Sequence, residues 1–133
     1  MNENDRAELA TLRALSSSEA ADYLLQKYPR GGTALVLLPH LSWKVSDQRR
    51  LASAYLANLP HANPRAYEAF ASFMSVKNFI EAIKEHLPGR QTDRTGLLSY
   101  YLVPILHDQA KNDDDKQLVR SFVTELEALE IAT

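Results

Sequence analysis

The chain has 133 residues, with 15 Lys+Arg, 17 Asp+Glu, 4 His and no Cys. This length suits one globular domain, which buries roughly two-thirds of the surface that its unfolded chain exposes. The absence of Cys excludes disulfides, thiolate nucleophiles, iron–sulfur clusters and Cys-containing zinc sites, and a formal net charge of −2 argues against a dedicated nucleic-acid binder.

Met1 to Leu15 mixes charged residues with Ala and Leu and lacks the basic start and apolar stretch of a secretory leader. The longest apolar run, Ala34 to Pro39, is far short of the ~20 residues that span a bilayer. These features predict a soluble cytoplasmic protein. Charge is nevertheless uneven: residues 1–111 carry a balance of +2, whereas in 112–133 Lys116 and Arg120 face six carboxylates, a balance of −4. An acidic surface helix accounts for this, and a basic partner is the sharper alternative.

Nearly every segment repeats its apolar residues with the helical period, so the fold is expected to be all-α. It would be a single domain of seven or eight helices, a compact bundle or a short stack of antiparallel pairs. Leu9 and Leu12 mark a first helix, about Asp5 to Leu15. Ser16 and Glu19 form a capping box for the second, whose apolar stripe is Ala21, Leu24, Leu25 and Tyr28. Pro29, Gly31 and Gly32 stop it.

Leu35 to Leu38 cover all sides of a short third helix, predicted to be largely buried before Pro39 bends or ends it. Ser46 is the expected cap of the fourth, with Leu51, Ala52, Tyr55, Leu56 and Leu59 on one face. Asn63–Pro64 starts the fifth, which carries Ala66, Phe70, Phe73 and Met74. Either Ser75 opens a sixth helix, with Val76, Phe79, Ile80, Ile83 and Leu87 inward, or one helix runs from Pro64 to Leu87. The seventh, about Asp93 to Ala110, has a stripe of Leu97, Leu98, Tyr101, Leu102, Ile105 and Leu106. Tyr100 and Val103 make its other side apolar too, which predicts a central or partner-covered helix, and Pro104 is expected to kink it. Asn112 or Asp113 caps the last helix, with Leu118, Val119, Phe122, Leu126 and Leu129 inward.

From Thr33 onward the helices fall into three pairs, starting near 33, 64 and 93, after an N-terminal segment of residues 1–30. One stretch, residues 34–59, resembles a HEAT-type helical repeat. Leu35, Leu38, Pro39 and Leu41 match its first helix. Asp47, Arg50, Leu51, Ala52, Ala54, Leu56 and Leu59 match its second, with the characteristic Asp and Arg. The later pairs lack both. The resemblance implies a right-handed stack of helix pairs and a binding role rather than a chemistry.

Catalytic and cofactor patterns are missing, and no cofactor is expected. His40, His61, His86 and His107 each fall near a helix C-terminus, where the dipole favours a protonated imidazole, but they show no metal-ligand spacing. Asn112 to Asp115 lacks the Gly and the final Glu of a calcium loop. Gly31–Gly32 beside Arg30 could offer amides to an anion but has no phosphate-loop register, and no Ser lies in a nucleophile elbow.

The expected function is therefore non-enzymatic protein binding, as an adaptor, an inhibitor or a toxin-neutralising immunity protein. Trp43, Arg50, Arg94 and Tyr100 are the predicted contact residues, because loop and half-exposed Tyr, Trp and Arg dominate protein interfaces. The alternative is a nucleic-acid-binding regulator using Arg49, Arg50, Arg90 and Arg94. Self-association through the helix around Tyr100 is a further possibility.

Overall fold

The computed structural model describes residues 1–57, 64–87 and 94–131, and side chains within these except at 94–97 and 129–131. Eight α-helices are present among the described residues: α1 (Glu3–Arg13), α2 (Ser17–Lys27), α3 (Thr33–Leu37), α4 (Val45–Tyr55), α5 (Arg65–Ala71), α6 (Val76–Lys84), α7 (Arg94–Gln109) and α8 (Asp113–Ile131). No strand accompanies them there, so the all-α expectation holds.

Local chemistry sets most of the helix starts. Asn2 Oδ1 accepts from the Asp5 amide at 2.8 Å, Ser75 Oγ from the Asn78 amide at 3.1 Å, and Asn112 Oδ1 from the Asp115 amide at 2.8 Å. Ser16 and Glu19 form the predicted reciprocal box, each bond 3.1 Å long. Each such cap supplies a partner to an amide that the first turn leaves unbonded. Between α2 and α3, Gly31 and Gly32 take φ of 95° and 51°, a region that L side chains rarely enter.

The odd-numbered helices stack in chain order, α1 on α3, α3 on α5 and α5 on α7. The even-numbered helices do the same, α2 on α4, α4 on α6 and α6 on α8, while α1–α2, α5–α6 and α7–α8 touch across the layers. The result is two layers built from four successive helix pairs. The N-terminal segment, α1 and α2, stands at one end of these layers. Such an arrangement buries a continuous interior because each pair covers its neighbour. Tyr67, Phe70, Phe79 and Phe122 are the largest side chains sealed within it, alongside Leu24, Leu37, Leu51, Leu98 and Leu102.

Of the two readings of residues 64–87, the structure has two helices, the second opened by Ser75 as expected, while other expectations need correction. The break is held from a distance, because Gln109 Nε2 on α7 donates to Ala71 O at 3.2 Å and Met74 O at 2.9 Å. These are carbonyls that a helix end leaves free. Ser46 does not cap α4, whose cap position is Lys44, two residues earlier. The third helix ends at Leu37 and passes into a 3₁₀ turn, Leu38–His40, which contains Pro39. Its Val36 is 45% exposed and Leu118 on α8 is 38% exposed, against the inward placement that their apolar type predicts. Tyr67, which the apolar stripes do not single out, is fully buried. Helix α7 runs past Pro104 to Gln109, and Tyr100, 73% exposed, leaves the partner-covered setting of the two expected for this helix. The predicted roles of Leu59, Asn63 and His61 lie outside the described residues.

Candidate functional site

The three predicted contact residues whose side chains are described, Trp43, Arg50 and Tyr100, lie on different elements and do not converge. Trp43 lies in the loop before α4, half-buried against the core, with Nε1 donating to Leu38 O at 3.0 Å. Its own carbonyl accepts from Gln48 Nε2 at 3.2 Å. Both bonds tie Trp43 to the segment from Leu38 to α4. Arg50 is tied to the chain as well: Nη1 meets Asp22 Oδ1 at 2.6 Å and Nη2 donates to Ser18 O at 3.0 Å. Tyr100 belongs to the last odd-numbered helix and faces solvent, its ring edge-on to Tyr101 with centroids 5.0 Å apart. The side chain of Arg94 is outside the described residues, as is Arg90.

Around Arg50, Asp47 is the one buried charged residue among those described, 6% exposed. Its Oδ2 accepts from Ser17 Oγ at 2.6 Å, its Oδ1 lies 3.6 Å from Arg50 Nη2, and Ser17 Oγ accepts from the Lys44 amide at 3.1 Å. Asp47 occupies the third position of α4, where a capping-box acid would reach back to the cap amide. Here the reach is relayed through a hydroxyl of α2, which explains how Lys44 can occupy the cap position without a capping side chain of its own.

The same layer carries an ion pair at every step. Asp22–Arg50 joins α2 to α4, Arg49 binds Glu81 and Asn78 Oδ1 across α4 and α6, and Lys84–Glu125 joins α6 to α8 at 3.2 Å. The cations of these pairs are therefore occupied within the chain.

The face of α5 and α7, bordered by α8, looks different. A groove of about 820 Å³ is lined by Tyr100, Tyr101, Val103, Pro104 and Ile105 of α7, by Val123, Leu126 and Glu127 of α8, and by Pro64 and Glu68 beside and on α5. A second groove, about 840 Å³, shares Glu68, Pro104 and Ile105 with it and runs on past Ser72, His107, Asp108 and Lys111. A third, about 290 Å³, lies between α3 and α5 and again includes Glu68, with Arg65, Val36 and Pro39. Exposed Glu68 thus stands where three depressions meet, and its side chain has no hydrogen-bond or ion-pair partner among the described residues. Sequence reasoning missed Glu68 and Glu127 because a lone Glu on a helix face looks like any solvated residue.

A polar cluster closes the α1–α2 end. Glu8 accepts from Tyr23 Oη at 2.9 Å and Tyr28 Oη at 2.5 Å, and pairs with Lys27 Nζ at 2.7 Å. Burial opposes ionisation of Glu8, but the Lys27, Tyr28 and Tyr23 hydrogen bonds and the Lys27 charge outweigh it, so its pKa lies below the ordinary value. Hydrogen bonding to Glu8 in turn raises Lys27 and Tyr28. Each of these groups satisfies another, which is the signature of a structural tie rather than of a reactive centre.

The histidines stay apart. His40 ends the 3₁₀ turn, His107 is exposed on α7, and half-buried His86 follows α6. Among the described residues no three His, Asp or Glu side chains gather as a metal-binding group, and no helix is long and apolar enough to cross a membrane. Comparison of the chain with models of protein families, with characterised proteins and with solved structures finds no match.

Proposed function

We propose that this chain is a non-enzymatic, cytoplasmic protein-binding domain, of the kind that serves as an adaptor, an inhibitor or a toxin-neutralising immunity protein. The grooved face between α5, α7 and α8 presents the partner site. The observation that carries this reading is the exposure of Tyr100, 73%, on the rim of an apolar groove formed by three helices. An aromatic ring held at the surface beside apolar side chains is an anchor for another protein, because its burial on contact stabilises the complex at little cost in side-chain entropy. The resemblance of residues 34–59 to a HEAT-type repeat supports a binding role in the same sense. Of the contact residues expected from the sequence, Tyr100 keeps its place in the proposal, while Trp43 and Arg50 support the scaffold.

Nucleic-acid binding is the rival reading. It has less support, since Arg49 and Arg50, two of its four guanidinium groups, already hold Glu81 and Asp22. The test is capture from the native host on immobilised wild-type, Tyr100→Ala and Arg50→Ala proteins. A stoichiometric protein partner retained by the wild type and by Arg50→Ala, and lost from Tyr100→Ala, is expected. Retention by all three removes Tyr100 from the interface. Salt-sensitive binding to a generic DNA duplex would favour the rival.

A further inference from the structure

We infer that the groove between α5, α7 and α8 receives a cationic, apolar segment of the partner protein, one in which aliphatic or aromatic side chains are accompanied by Lys or Arg. The inference rests on the protein-binding reading above and adds the chemistry of the partner.

Two observations carry it. The floor of the groove is apolar, built from Val103, Pro104 and Ile105 of α7 with Val123 and Leu126 of α8, and Tyr100 stands at its edge. Its charged lining consists of Glu68 and Glu127, with no Lys or Arg among the described residues there. Both carboxylates are exposed, and neither side chain has a hydrogen-bond or ion-pair partner among the described residues. On α2, α6 and α8, by contrast, Asp22, Glu81 and Glu125 each hold a cation.

Charge then selects among occupants. A second copy docking by two-fold symmetry would present the same patch to itself, so Glu68 and Glu127 would face carboxylates. Phosphate-rich nucleic acid and anionic lipid surfaces are repelled for the same reason. A segment with Lys or Arg beside its apolar anchors instead completes both needs: it covers the apolar floor and neutralises the two carboxylates.

The test uses the full chain and a phage-displayed library of random dodecapeptides, followed by fluorescence anisotropy on the selected peptides. Selected sequences are expected to combine aliphatic or aromatic residues with Lys or Arg, and to bind more weakly as salt rises. Tyr100→Ala and the reversals Glu68→Lys and Glu127→Lys should each weaken binding about tenfold or more, and Glu68→Gln about threefold to tenfold. Reversing the exposed Glu85, which lies outside the groove, should leave binding unchanged. A peptide whose Lys is replaced by Glu should regain affinity for Glu68→Lys, a rescue that a merely structural effect would not give. Circular dichroism checks that each variant folds, and Glu68→Gln serves if the reversals do not. The inference is overturned if selected peptides lack cations, if binding ignores Glu68 and Glu127, or if no peptide is selected. It is overturned too if sedimentation shows a dimer that Tyr100→Ala dissociates. A host partner whose binding survives all the groove variants sinks this inference and leaves the protein-binding reading standing. Failure to obtain any peptide or any partner removes both.

Discussion

Along the even-numbered helices Arg50 meets Asp22, Arg49 meets Glu81 and Lys84 meets Glu125, whereas on the odd-numbered side Glu68 borders three grooves with no cation attached among the described residues. Both layers cover the same interior, and both are exposed to the same solvent. What separates these particular positions is whether the charge is engaged within the chain, since bare Glu127 lies on α8 and Glu8 of α1 is paired with Lys27. A side chain already bonded to its neighbour must give up that bond before it can serve a partner. The paired face therefore favours internal register, and the unpaired one is left available for recognition.

The contrast between the layers holds only if the shared interior, not surface charge, keeps them together. The strongest check is Phe79→Ala, which empties a fully buried position on α6. It should cost about 3–5 kcal/mol in urea unfolding. Comparable losses from surface ion-pair variants would break the comparison.

A smaller effect is expected at the α1–α2 tie. Glu8→Ala should cost about 1–3 kcal/mol, because Tyr23, Tyr28 and Lys27 lose their common partner. The sign of the pH dependence follows from the lowered pKa of Glu8. The folded state binds its proton less readily than the unfolded chain, whose Glu titrates near the ordinary 4.5. The stabilisation is complete above that value and is lost as pH falls through the depressed one. Urea midpoints between pH 7 and pH 3 should therefore fall more steeply for the wild type than for Glu8→Ala.

The smallest effects belong to the ion pairs. Asp22→Ala, Glu81→Ala and Glu125→Ala should each cost about 0.2–1 kcal/mol at low salt and less in ~1 M salt, since both partners in each pair are substantially exposed. A double-mutant cycle on Lys84 and Glu125 measures the coupling directly. A coupling well above this range would mean that the even-numbered layer is stitched for stability rather than for register.

Much of the fold is legible in the sequence. The caps at Ser16, Ser75 and Asn112 use bonds spanning three residues, so local pattern is enough to reveal them. The buried stripes of α2, α4 and α6 follow from helical period. The departures share a cause. Val36 and Leu118 have the apolar type of core residues, but type alone does not bring a neighbouring helix over a side chain, and both stay exposed. Ser46 is the natural local candidate for a cap, while the bond to the Lys44 amide comes from Ser17, on another helix. The site is less legible than the fold. Trp43 and Arg50 have the residue types of an interface, yet their atoms are committed to Leu38, Asp22 and Ser18.

Residue type, and neighbours within one or two turns, are enough to give the helices, their approximate limits, the lack of thiol chemistry and the uneven charge. All of these can be read from the linear chain. Packing supplied what remained. It sorted the helices into two layers, brought Arg50 to Asp22 across 28 residues and Ser17 to Asp47 across 30, and ended α5 with Gln109 of α7. It also left Glu68 and Glu127 bare beside an exposed Tyr100. Whether a charge is free or engaged depends on which distant group the packing delivers, and no local pattern encodes that.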